Sequence, residues 1–268
     1  MRGFGEIAER LRRSTVQVFA DQRRGGGSGV IWKPDGLIIT NAHVARQRQL
    51  QVELWDGRRF EGRVLSQDPR RDLAMIRLAA PPSESDLPAA TPGDSGALRP
   101  GELVIAVGSP LGFSGAVSTG VVHSLGALPG MGRQNWIRAD VRLAPGNSGG
   151  PLADAQGRVI GINTAIVNGL GVAVPGDAVK AFLQKGARPS LGVTLQPVSY
   201  GLLILDLDPQ GAAAAASLRA GDILIGSFDS LSDALDSGRD VIRLQFFRGD
   251  RTKVREAFVR LAAHAVAA

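Results

Sequence analysis

Between residues 14 and 175 the chain is a train of short apolar runs broken by turn residues. The runs are TVQVFA, GSGVIW, GLIITN, LQVELW, RFEGRVLS, LAMIRL, LVIAVG, AVSTGVVHSL, NWIRADV, RVIGINTA and GVAVP. Runs of this length, rich in Val and Ile and bounded by Gly, Pro, Asn and Asp, predict β-strands. Pro34-Asp35-Gly36 and Asp56-Gly57 lie between successive runs and suit hairpin turns. The 35 glycines and the 5% aromatic content favour strands and tight turns over a helical bundle. About eleven strands with little helix imply a mainly β region built as a pair of barrels or sandwiches. The Pro- and Ser-rich stretch 79–101 is the longest irregular one, and it is expected to join the two halves.

The pattern changes at both ends. The opening MRGFGEIAERLRR reads as a short basic amphipathic helix that runs into a strand. PGDAVKAFLQKGARPS predicts a helix with Asp177 near its start and Gly186 as its stop, followed by a linker at Arg188-Pro189. Beyond it lies a smaller mixed unit with strands LGVTLQPV, GLLILDLD, DILIGSF, VIRLQFFR and KVREAFVRL. One helix is expected over the alanine run 212–216 and a short one near 232–236.

Composition removes several kinds of function. With no cysteine the chain has no disulfide, zinc thiolate or thiol nucleophile. No ligand cluster implies a metal or cofactor. No apolar run approaches the roughly 18 residues of a membrane helix. The net charge is +6, but the cations are scattered in pairs such as Arg12-Arg13, Arg23-Arg24 and Arg58-Arg59 with few aromatics between them, so nucleic-acid binding is not expected. The start lacks an apolar signal core, so either the protein stays in the cytoplasm or an export segment has been trimmed, which would place it in the periplasm or cell envelope.

One stretch is too glycine-rich to serve a helix or a strand: APGNSGGPL, residues 144–152. Ser148 sits there with Gly146 before it and Gly149-Gly150 after it, on a shaped turn. Upstream, TNAHVA places His43 just after an apolar strand, and RRDLAMIRL places Asp72 just before another. A Ser hydroxyl is a poor nucleophile until a base takes its proton. Imidazole titrates near neutrality. A carboxylate on its other nitrogen fixes the tautomer. Backbone N–H groups of Gly146, Asn147 and Ser148 are candidates to converge on a developing oxyanion. Each residue alone also has a structural reading. His43 can end a strand, Asp72 can cap a turn, and Asp68 competes for its role. His123 and His264 lack the strand-edge acid and glycine turn that follow His43.

Together these stretches resemble the HtrA/Deg family of trypsin-like serine proteases. The resemblance is carried by GSGVIWKPDGLIITNAHV, DPRRDLAMIRL, VAVGSPLG, STGVVHSL and GNSGGPLADAQGRVIGINTA. It implies a chymotrypsin-like double β-barrel over 14–187, after an N-terminal helical segment over 1–13. It implies His43 as general base, Asp72 as its orienting acid and Ser148 as nucleophile, with Asp68 the motif's non-catalytic acid. Where digestive trypsin has an acid six positions before the nucleophile, this chain has Arg142. Leu143 matches the family's apolar pocket floor, and Gly171, Val172 and Ala173 match a pocket wall. Cleavage after Val, Ala or Ile is therefore expected. Ala144-Pro145 departs from the family's common pattern, and Pro145 is expected to stiffen the loop.

Residues 190–262 resemble the family's PDZ domain, in shortened form. SLGVTL matches the carboxylate-binding loop, which makes Leu191, Gly192 and Val193 the residues expected to hold a peptide C-terminus. The groove helix looks truncated. The resemblance implies unfolded polypeptides as substrates, C-terminal peptides as PDZ ligands, and a homotrimer assembled through residues ahead of the first strand, with Phe4 and Ile7 as candidates. The alternative is a non-proteolytic binding protein or chaperone on the same fold. An intact triad argues against it. An esterase shares the chemistry, but the hairpins contradict the parallel sheet that an α/β-hydrolase requires.

Overall fold

A computed structural model describes residues 3–19, 26–79, 87–109, 115–129, 131, 134–185, 191–237 and 239–261. The expected helix stop at Gly186, the linker at Arg188-Pro189 and His264 lie outside these residues. The chain divides into two compact units, Met1–Lys185 and Gly186–Ala268.

The first unit holds two closed antiparallel barrels. Strands β1 (Thr15–Phe19), β2 (Gly27–Lys33), β3 (Leu37–Thr40), β4 (Gln49–Glu53), β5 (Arg59–Asp68) and β6 (Leu73–Leu78) close in the order β1-β2-β3-β6-β5-β4. Strands β7 (Leu103–Gly108), β8 (Ala116–Gly126), β9 (Trp136–Asp140), β10 (Pro151–Asp154), β11 (Val159–Val167) and β12 (Leu170–Pro175) close as β10-β11-β12-β9-β8-β7. Side chains alternate across a strand. Ile38, Ala74 and Ile76 therefore fill the first barrel with Val16, Val18, Ile31 and Val52. Their neighbours Leu37, Ile39, Leu73 and Met75 face the other way, into a layer shared with Ile105, Val107, Val159 and Ile162 of the second barrel. This double burial explains why β3 reads as an unbroken apolar run.

The helix expected at the start forms as α1 (Phe4–Arg13). Its Leu11 is buried in the layer between the barrels and Ile7 packs against that layer, whereas Phe4 is 54% exposed. Glu9 accepts from Arg12 and Arg13, and the Arg12 hydrogen bond leads in holding its carboxyl down at about 2. Helix α2 (Gly176–Lys185) closes the unit, with Val179 and Phe182 buried in the same layer.

The second unit is a five-stranded sheet, β13 (Val193–Val198), β14 (Gly201–Leu207), β15 (Ile223–Leu224), β16 (Val241–Arg248) and β17 (Asp250–Arg260), in sequential order. Helices α3 (Ala212–Ala215) and α4 (Phe228–Asp236) complete it. Two expectations shift here. DILIGSF supplies a strand of only two residues, and α4 starts earlier than 232. The earlier helix start has a local cause: Ser227 and Ser230 form a reciprocal capping box that starts the helix at Phe228.

Asp222, only 1% exposed, receives both Nε and Nη2 of Arg248 at 2.7 Å, in a two-pronged pair. Arg248 is partly exposed and Arg219 N–H still donates to Asp222, so removing the guanidinium leaves a buried carboxylate short of partners at a cost of about 1–3 kcal/mol. Arg248→Met is therefore expected to unfold the second unit at lower denaturant than the parent, read from the denaturation midpoint. An unchanged midpoint would contradict this role.

Candidate active site

The site lies where loops from both barrels meet. Asn41 to Ala45 form a tight turn after β3, in which Val44 and Ala45 N–H donate to Asn41 O. That turn carries His43, whose carbonyl accepts from Arg46 Nε at 2.8 Å. Asp72 stands just before β6 with a backbone φ of 53°. This left-handed conformation is uncommon outside glycine, although Asp tolerates it better than most. Two contacts hold it: Asn41 Nδ2 donates to Asp72 O at 2.8 Å, and the His43 backbone N–H donates to Asp72 Oδ1 at 3.0 Å.

The acid and the imidazole are in direct contact. His43 Nδ1 lies 2.8 Å from Asp72 Oδ2 and 3.0 Å from Oδ1. The competing acid, Asp68, is buried and paired with Arg71 at 2.8 Å.

Sequence reasoning missed Thr164, on β11. Its hydroxyl donates to Asp72 Oδ2, and its carbonyl accepts from Ser148 Oγ at 3.0 Å. Thr164 thus bridges the acid and the serine. In sequence it reads as an ordinary strand residue, and its only signal is its place in the INTA run that follows the serine turn. The Ser148 hydroxyl donates to Thr164 O rather than to the imidazole. Catalytic bonds between a serine and its base are often unformed without substrate.

The serine turn is tightly defined. Asn147 N–H donates to Ala144 O at 3.0 Å, and Gly146 has a φ of 106°. Proline fixes φ near −65° at the second position, and positive φ at the third makes this a type II turn. Pro145 and Gly146 are the residues that such a turn prefers. Beyond it, Gly149 N–H donates to Asn163 O and Gly150 N–H to Asn147 O. Gly149 has a φ of 88°, and a Cβ there would lie 2.0 Å from Ser28 O. Among the described residues, the N–H groups of Gly146 and Ser148 donate to nothing. The Asn147 N–H, expected as an oxyanion donor, is instead consumed by closure of the turn.

Of the expected pocket residues, Leu143 and Gly171 meet directly. A Cβ on Gly171 would lie 3.0 Å from Leu143 Cδ1. Ala173 is buried in the core cluster that Leu143 packs against. Val172 faces the opposite side of β12, into the layer between the barrels, and so does not line a wall with them. In the second unit Leu191 is buried in the core, Gly192 has a φ of 68°, and Val193 opens the edge strand β13. Among the described residues no group of His, Asp or Glu is arranged to hold a metal ion, and no helix is long and apolar enough to cross a membrane.

Residues 27–162 match the family model of the trypsin-like peptidase domain. A probable periplasmic serine endoprotease, DegP-like, from Halomonas elongata is 37% identical over 236 residues, covering 78% of this chain and 49% of that protein. The putative serine protease HhoA of Synechocystis is 34% identical over 271 residues, covering 85% of this chain and 68% of that protein. The chain spans about half the length of most of the curated relatives it matches. A solved structure of the HtrA-type protease AlgW with a decapeptide matches with a TM-score of 0.64 at 24% identity, covering 97% of this chain and 98% of that one, which shows the shared fold. The double barrel, the His–Asp pair and these matches lead to one conclusion: the chain belongs to the trypsin-like peptidase family, among its HtrA/DegP-like members.

Proposed function

We propose that the chain is a serine endopeptidase that cleaves unfolded polypeptides through an acyl-enzyme. The observation that carries this reading is the contact of His43 Nδ1 with Asp72, tied through Thr164 to Ser148. In the first step Ser148 Oγ gives up its proton to His43 Nε2 and attacks the scissile carbonyl. Asp72 keeps the Nδ1 proton in place and stabilises the imidazolium. The Gly146 and Ser148 N–H groups take the oxyanion, a contribution on the order of 3 kcal/mol per donor. His43 then protonates the leaving amine, and water repeats the sequence in reverse order to release the acid.

Leu143, Gly171 and Ala173 support a shallow apolar pocket for a small aliphatic side chain before the scissile bond. The second unit is read as a shortened PDZ-like domain over 190–262, with 14–187 as the protease domain. Its edge strand β13, preceded by Leu191 and Gly192, suits an extended peptide that adds a strand and leaves its C-terminus at the loop. The exposed Phe4 ahead of the first strand supports self-association, read as a homotrimer. The name of the Halomonas relative includes the periplasm, and the same compartment is proposed here.

The test is to incubate the chain with a permanently unfolded protein, then with a fluorophosphonate, and to map the labelled peptide by mass. Cleavage of the unfolded protein and an adduct on the peptide containing Ser148 are expected. Absence of both, including after addition of C-terminal peptides, would favour a binding protein instead.

A further inference from the structure

Ser28 lies on β2 in the first barrel, yet two of its polar atoms make three hydrogen bonds to the serine turn and its surroundings. Its N–H donates to Ser148 O at 2.7 Å, and its Oγ donates to Gly146 O at 2.7 Å. The same Oγ accepts from Ser109 N–H at 2.9 Å. A hydroxyl has one proton to give. Because Ser109 is itself a donor, the Ser28 proton is directed at Gly146 O. The residue is fully buried, so no solvent competes for these bonds. Its surroundings are cleared for them: a Cβ on Gly27 would lie 2.7 Å from Ser148 O, and one on Gly108 would lie 3.1 Å from Ser28 Oγ.

The clamp has a directional consequence. The peptide unit joining Gly146 to Asn147 is held at both ends, its oxygen by Ser28 Oγ and its N–H by Ala144 O. Two residues on, the Ser148 carbonyl is held by Ser28 N–H, while the intervening Asn147 carbonyl accepts from Gly150 N–H. The two N–H groups that flank the clamped peptide, those of Gly146 and Ser148, are the ones left without an acceptor. Fixing the plane between them fixes their relative aim.

We propose that Ser28 is a positioning residue for the oxyanion hole, acting through the Gly146 carbonyl. The inference rests on the protease reading above. A misplacement of about 1 Å in such a constellation costs on the order of 100-fold in rate. The test uses the full chain, a peptide substrate with Val before the scissile bond, and a peptide boronate whose tetrahedral adduct needs the same two donors. Ser28→Ala removes the clamp, and Ser28→Cys replaces the hydroxyl by a larger group that is only a weak donor. For both, kcat is expected to fall on the order of 100-fold with KM nearly unchanged, and boronate affinity to fall by a similar factor. Binding of the same peptide ended as a neutral C-terminal amide, which carries no anion into the hole, should stay within about twofold.

A folded variant with kcat and boronate affinity near those of the parent overturns the inference, as does a loss that appears wholly in KM. Should neither variant fold, Ser28 is a folding residue and the inference is equally overturned. Ser148→Ala runs alongside. Turnover by Ser148→Ala would remove the protease reading itself, whereas a silent Ser148→Ala beside a fully active Ser28→Ala would remove only the role of Ser28.

Discussion

Ser148→Ala is expected to lower turnover by about six orders of magnitude, the scale on which a serine nucleophile and its base act as one unit. The fold should hardly notice. Among the described residues the side chain makes one hydrogen bond, to Thr164 O, and a single neutral bond is worth about 1 kcal/mol net. An unchanged thermal transition beside a complete loss of peptide hydrolysis is the expected pair of results. The oxyanion donors and pocket survive in this variant, so substrate should still bind with an affinity near that of the parent. Retention of even 1% of the parental rate in the purified variant would place the nucleophile elsewhere. His43 and Asp72 would then need another hydroxyl within reach.

The strand train was readable because both barrels obey alternation or double burial, patterns that survive in one dimension. His43 and Asp72 were readable because each stands at a strand edge, and Ser148 because only a turn needs so many glycines. Thr164 and Ser28 were not. A Thr inside GINTA and a Ser inside GSGVI are ordinary strand residues until closure of the barrels brings them to Asp72 and Gly146, 92 and 118 positions away. Asn147 failed in the opposite way. Its neighbourhood made it an oxyanion candidate, yet the turn that Pro145 and Gly146 dictate consumes its N–H. The resemblance of the 171–173 segment to a pocket wall includes Val172, although adjacent residues on a strand face opposite ways.

The same turn bears on regulation. A type I turn at Ala144–Asn147 would reverse the peptide between Pro145 and Gly146 and carry the Gly146 N–H away from its partner at Ser148. Proline at the second position allows either turn. Glycine at the third favours type II, since a positive φ carries no Cβ penalty there. Ser28 holds the following carbonyl in the same arrangement. Local preference and the long-range contact of Ser28 therefore favour the same type II turn.

Asp72→Asn should cost about four orders of magnitude in kcat/KM while leaving the fold intact, and the reason lies in which oxygen can be replaced. The His43 backbone N–H donates to Oδ1, so the Asn oxygen must take that position to keep an acceptor there. The Asn NH2 then occupies the Oδ2 position, 2.8 Å from His43 Nδ1 in the parent. An NH2 can only donate, so Nδ1 must accept and the ring proton moves to Nε2. A protonated Nε2 cannot take the proton of Ser148. The Thr164 hydroxyl can turn to accept from the same NH2, so the wrong tautomer is held as firmly as the right one was. Hydrolysis of a peptide substrate by Asp72→Asn, measured beside Asp68→Asn, checks this. Asp68 is buried and pairs with Arg71, so its substitution should affect stability more than rate. Near-parental kcat/KM in Asp72→Asn would mean that another group sets the tautomer of His43.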